Sequence, residues 1–174
     1  MTGYRKPPAM PWPRRLPVPD LFDRILLLKE SPVFCKVPTE DLRHVAQALE
    51  EQQYLTVDRV FEINAQGDHL YLLVSGRVGI TLDADSSSRN FIATLGPGDC
   101  FGEMNLLDDQ PRSATAHVLE DSTVLALDKG RLRGLILSYP ELSIGMLRSL
   151  SLRLREANTR SMDKPDTQGK ETNQ

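Results

Sequence analysis

LYLLVSGRVGITL, running from Leu70 to Leu82, holds two short apolar runs, Leu70 to Val74 and Val78 to Leu82, separated by Ser75-Gly76. Runs of this length, rich in β-branched residues and divided by small turn residues, predict strands. The same pattern extends in both directions. Upstream stand Tyr54-Leu55 and Val60-Phe61; downstream stand Phe91 to Leu95, Ala114 to Val118 and Val124 to Leu127. Breaks fall at Asn64-Ala65-Gln66-Gly67, Asp83 to Ser88 and Gly96-Pro97-Gly98-Asp99. Seven or eight short strands between Gln53 and Leu127 predict an antiparallel barrel, sandwich or jelly roll.

Helical spacing frames these strands. Leu21, Ile25, Leu26 and Leu28 follow Asp20, whose side chain suits an N-cap, and predict a short first helix. Thr39, read as a cap, precedes Glu40, Asp41 and the stripe Leu42, Val45, Ala46 and Leu49, which predicts a helix over 39–50. After Asp128, Leu132, Leu135 and Ile136 predict a third helix ending near Tyr139-Pro140. A fourth, at about 141–158, is predicted by Leu142, Met146, Leu147, Leu150 and Leu154. The expected fold is mainly β with flanking helices: an antiparallel, jelly-roll-like β-roll with two N-terminal and two C-terminal helices. One domain is expected over residues 20–159. Residues 1–19 contain six of the twelve prolines, with Arg5, Lys6, Arg14 and Arg15, and are expected to form a disordered basic tail. Residues 160–174 are expected to form a disordered polar tail.

Composition narrows the function. The 174 residues are 40% hydrophobic and 26% charged, enough for one globular core. Twenty-one Lys+Arg against twenty-four Asp+Glu give a net charge of -3, which argues against a nucleic-acid-binding surface. No apolar run approaches the roughly 18 residues of a membrane helix, and prolines stand where a secretory signal would place its apolar stretch. The expectation is a cytoplasmic chain. Cys35 and Cys100 are too few for a disulfide scaffold or a structural zinc site, and both are expected to remain thiols. His44, His69 and His117 are scattered without a His-x-His pair, so no metal site is expected. Ser75 and Ser113 have no neighbouring His to act as base, so no catalytic residue is assigned and no enzyme is expected.

One stretch breaks the strand pattern: Phe101-Gly102-Glu103-Met104-Asn105-Leu106-Leu107-Asp108-Asp109-Gln110-Pro111-Arg112-Ser113-Ala114-Thr115. Its start predicts a single helical turn, whose first amides lack carbonyl partners and favour an anion. Arg112 follows Pro111 at the mouth of the next strand, and its planar fork matches a phosphate. The carboxylate of Glu103 accepts hydrogen bonds and suits a sugar hydroxyl. Together these groups fit a ribose phosphate, although a surface Glu–Arg pair is the simpler alternative.

The order Phe-Gly-Glu, two residues, Leu-Leu, three residues, Arg, small residue, Ala, Thr resembles the phosphate-binding cassette of cyclic nucleotide-binding domains, including those of catabolite activator proteins and protein kinase A regulatory subunits. The likeness runs from about Leu27 to Asn158 and includes Leu70-Tyr71, Val74-Ser75-Gly76-Arg77-Val78, Leu95-Gly96-Pro97-Gly98-Asp99 and Arg153-Leu154-Arg155. It implies a short helix in the cassette and a ligand site of Phe101, Gly102, Glu103, Met104, Asn105, Arg112 and Ser113. By the same resemblance, Glu103 would take the ribose 2′-hydroxyl, and Arg112 with amides of Gly102 to Leu106 would take the cyclic phosphate. Val78, Ile80 and Ile92 would line the base pocket, with Arg155 and Asn158 reaching it from a lid-like last helix. The implied ligand is cAMP in preference to cGMP, without a cofactor.

Two positions depart from the family pattern. Asn64-Ala65 stands where Gly-Asp is usual, and asparagine tolerates the left-handed backbone such a turn needs. Asn105 replaces a smaller residue, where its amide could add a bond to the ligand or crowd it. Family members usually carry an attached output. The 16 residues after Asn158 are too few for a helix-turn-helix, so no DNA-binding domain is expected, and Arg14-Arg15-Leu16-Pro17 lacks the acceptor position of a kinase-inhibiting segment. The expectation is a stand-alone sensor that signals to an unknown effector protein or through a homodimer. Leu147, Leu150, Leu154 and Ala157 supply the apolar seam for such a contact. The alternative is a ligand-free module that keeps the β-roll for docking.

Overall fold

Helix α1 (Leu21–Glu30) starts at Asp20, which accepts from the Asp23 amide at 2.9 Å while Asp23 accepts in return from the Asp20 amide at 3.3 Å. This reciprocal box satisfies two otherwise unpartnered donors at the helix start. The computed structural model describes residues 19–83, 90–104 and 108–162. The terminal segments expected to be disordered therefore lie largely outside the described residues. Helix α2 (Thr39–Ala48) corrects one detail, because Pro38 takes the cap position without a side-chain hydrogen bond and Thr39 is already helical. Glu40 and Asp41 in the first turn still complement the helix dipole. The helix stops short of residue 50 because β1 (Glu50–Tyr54) begins there.

The remaining strands are β2 (Arg59–Phe61), β3 (His69–Thr81), β4 (Ala93–Leu95), β5 (Cys100–Phe101) and β6 (Thr115–Asp128). All pairings are antiparallel: β6 joins β1, β2 and β3, and β3 also joins β4 and β5. The predicted antiparallel β-roll is thus present, as a sheet that among the described residues has six strands and does not close on itself. Two pairs of runs read as separate strands are each continuous. Leu70 to Val74 and Val78 to Leu82 belong to one strand, and so do Ala114 to Val118 and Val124 to Leu127, apart from end residues. The register from His69↔Asp128 to Thr81↔Thr115 shifts between Leu73 and Val78, so Ser75-Gly76 is a bulge rather than a hairpin end.

Alternation along β3 and β6 buries both faces of this pair. Leu70, Leu72, Leu125 and Leu127 pack against the helices, while Tyr71, Leu73, Val124 and Ala126 face the roll interior with Val78, Phe101 and Ala116. Helices α3 (Lys129–Ser138) and α4 (Pro140–Met162) follow directly from β6. Leu132, Leu142 and Met146 enter the helix-side core beside Phe34 and Leu42. No described helix is long and apolar enough to cross a membrane.

One exposed turn is strained. Val57 has φ 76° and is 85% exposed, while its amide donates to the Val118 carbonyl at 3.0 Å. A β-branched residue in the left-handed region costs about 1–2 kcal/mol, and Val57 buries little to offset it. Val57→Gly should release that strain against a backbone-entropy cost of about 0.5–1 kcal/mol. A rise in Tm of about 2 °C is expected by calorimetry; an unchanged or lower Tm would show that the turn is unstrained.

Candidate functional site

Arg112 is only 3% exposed, an unusual place for a guanidinium. Its backbone is pinned to the β2–β3 connection: its amide donates to the Ala65 carbonyl at 2.8 Å, and its carbonyl accepts from the Asn64 amide at 2.8 Å. Asn64 makes this turn at φ 65°, the left-handed conformation expected of it. The side chain then enters the space between β2, β3 and β5. One Nη donates to the Gly102 carbonyl at 3.0 Å, and the other to the His69 carbonyl at 2.8 Å. The Phe61 ring lies under the guanidinium, with its centroid 4.1 Å from Cζ, and the Tyr71 centroid is 5.7 Å away. Aromatic faces attract a partly desolvated cation.

Two glycines make room for it. A Cβ on Gly67 would fall within the guanidinium, and one on Gly102 would sit 2.6 Å from an Nη. Gly102 also has φ 75°, which a side chain would strain. Burial pushes the Arg112 guanidinium below its ordinary range, while the charges of Tyr71, Asp68, Glu103 and Tyr54 act in the opposite direction. The carboxylate of Glu103, half-buried on the same cassette, is thus electrostatically coupled to Arg112. Met104 and Asp108 are helical, while Asn105, Leu106 and Leu107 lie outside the described residues. The expected short helix and the effect of Asn105 therefore fall largely on undescribed positions.

The other expected residues divide. Phe101 is buried in the roll interior, stacked on Tyr71 with centroids 5.3 Å apart. Ser113 is exposed and donates to the Met104 sulfur at 3.7 Å. Val78 is fully buried in the roll interior, Ile80 packs partly buried against the same cluster, and Ile92 is 60% exposed. Arg155 lines a groove of about 490 Å³ with Lys36, Ile144, Leu147, Arg148, Ser151 and Leu152. Asn158 is in α4, and its side chain lies outside the described residues.

Phe61, Gly67, His69 and Tyr71 are participants that sequence reading did not assign to the site. The aligned ends of β3 and β6 also gather Asp68, His69 and Asp128, with ligand-type atoms within 4.8 Å of one another. These groups have internal partners: Asp68 and the His69 Nδ1 are 2.6 Å apart, and Asp128 accepts from the Arg131 amide at 3.0 Å as the cap of α3.

The helices thus pack together against one face of this antiparallel β-roll, and an arginine is drawn inside the roll. Residues 51–139 match the family model described as the cyclic nucleotide-binding domain. The chain belongs to the cyclic nucleotide-binding domain family. It is similar to the CRP-like cAMP-activated global transcriptional regulator of Mycobacterium tuberculosis, with 30% identity over 79% of this chain and 61% of the relative. Among solved structures it resembles the N-terminal domain of a transcriptional regulator from Streptomyces coelicolor, with TM-score 0.68, 29% identity, and coverage of 76% of this chain and 95% of that one. It also resembles the regulatory domain of Toxoplasma gondii PKA with cAMP, with TM-score 0.61, 26% identity, and coverage of 66% and 44% of the two chains. The chain spans about three fifths of the length of the curated relatives it matches first.

Proposed function

We propose that this chain senses a 3′,5′-cyclic nucleotide monophosphate, with Arg112 and the cassette amides on the phosphate and Glu103 on the ribose. The observation that carries this reading is the buried Arg112 guanidinium, given space by Gly67 and Gly102 and seated on Phe61. A cation held away from bulk water interacts more strongly with an anion than an exposed one does. The proposed role is regulatory and non-catalytic, in keeping with the regulators among its relatives. The proposed preference is for cAMP over cGMP, supported by the ligand named for the Mycobacterium and Toxoplasma relatives.

Helix α4 is proposed to relay binding to an effector protein or a second copy of the chain. Its first half is core, with Leu142 and Met146 buried, so a truncation at residue 141 would damage the domain itself. The neighbouring stripe is open: Leu147 is 62% exposed and Leu154 64%. These apolar groups can exchange water for a partner.

Calorimetry on nucleotide-free protein, with sedimentation before and after ligand, tests both parts. Binding of cAMP at least tenfold tighter than cGMP, with a change in oligomeric state or effector affinity, is expected. No heat with either nucleotide would reject the sensor and leave the docking module. A cGMP preference would reject the base assignment. Binding without any change in assembly or effector affinity would reject the relay.

A further inference from the structure

Helix α3 is capped by Asp128, but the side chains of its first turns are cationic. Lys129 is its first residue, its first turn carries no acidic residue, and Arg133 follows one turn later on the same face. Both cations converge on Asp109, a residue of the loop leading from the cassette to Arg112. Lys129 Nζ donates to one carboxylate oxygen, and an Arg133 Nη lies 3.2 Å from the other. Asp109 is exposed and adopts φ 58°, a left-handed backbone that aspartate and asparagine accept more readily than other side chains.

Lys129 also holds the opposite side of the site. Its amide donates to the Asp68 carbonyl at 2.8 Å, and the adjacent His69 carbonyl holds the Arg112 guanidinium at 2.8 Å. One residue at the start of α3 therefore binds both the loop that carries Arg112 and the strand that receives its side chain.

We propose that Asp109 is a positioning residue for the phosphate site: with Lys129 and Arg133 it forms an electrostatic latch that fixes the loop before Arg112 to the first turns of α3. The latch rests on the cyclic nucleotide reading for its effect on affinity, but its mechanical part exists without ligand. It sets the register of Arg112 and couples that register to the helix pair α3–α4.

Asp109→Asn removes the charge and keeps a residue tolerant of the left-handed backbone. At low salt, cAMP affinity is expected to fall about three- to tenfold, the scale of a small exposed ion-pair network. The gap from wild type should shrink in high salt, because exposed charges are screened. Lys129→Gln/Arg133→Gln should lose a similar factor, and the triple variant no more than either. In nucleotide-free protein, exchange of the Arg112 amide should quicken in Asp109→Asn while that of Leu72 in the core strand stays unchanged. If wild type binds no nucleotide, the functional reading fails and Arg112 exchange alone decides the latch. Unchanged Arg112 exchange, or equal wild-type and Asp109→Asn affinities in a protein that does bind, would overturn it.

Discussion

Arg112→Ala should weaken cAMP binding by roughly thirty-fold to several thousand-fold, the range for removing one member of a buried charge pair. The loss should be large because the guanidinium is 3% exposed and is held by the Gly102 and His69 carbonyls, so its orientation is set before a phosphate arrives. Ordering that is already complete in the free protein does not have to be repeated on binding. Arg112→Lys should also bind poorly, since an ammonium cannot span two carbonyls and present a planar fork to phosphate oxygens. Removing the arginine strips a donor from each of two inward-facing carbonyls at about 1–3 kcal/mol apiece, so calorimetry must be run well below each variant's measured Tm. Folded Arg112→Ala with wild-type affinity would remove Arg112 from the site.

Glu103 and Arg112 were legible together because one continuous stretch carries both, in a pattern whose residue types suit a ribose phosphate. Their surroundings were not. His69 lies 43 residues before Arg112 and contributes only a backbone carbonyl, so its side-chain identity does not announce the role. Phe61 and Tyr71 read as ordinary strand residues, and only the pairing of β2 and β3 with their neighbours turns them toward Arg112.

The strands show a related limit. Ser75-Gly76 carries the same local signal whether it ends a strand or bulges within one, and the long antiparallel pairing with β6 decides for the bulge. In α4 the seam through Leu147 and Leu154 was visible, but a second stripe through Leu142 and Met146 runs beside it. Packing buries the second and leaves the first exposed. Periodicity identifies apolar stripes; it does not say which one the core takes. Asp109 was equally hidden, because a polar loop residue gains its meaning from Lys129 and Arg133, residues that follow an entire strand later.

Gly67→Ala should be nearly as damaging to binding as removal of Arg112, although it adds one methyl group and deletes no functional atom. The backbone at Gly67 is not left-handed, so alanine meets no conformational penalty there. The obstacle is steric: the added Cβ would lie 2.4 Å from Arg112 Cζ and 2.7 Å from an Nη. A flexible surface arginine would swing aside at little cost. Arg112 is enclosed by Phe61, Gly102 and the His69 carbonyl, so moving its end breaks both carbonyl hydrogen bonds and carries the fork out of line. Affinity for cAMP should fall at least tenfold, about 1.4 kcal/mol or more. Stability should fall by about 1–3 kcal/mol, the scale of two charge-assisted hydrogen bonds less the small gain from a stiffer unfolded chain. Arg112→Ala separates this mechanism from a general loss of packing. Once the guanidinium is gone, Gly67→Ala has empty space to enter, so the double variant should bind no worse than Arg112→Ala and melt no lower. Additive losses in the double variant would show that Gly67 acts on the fold by a route other than the arginine it faces.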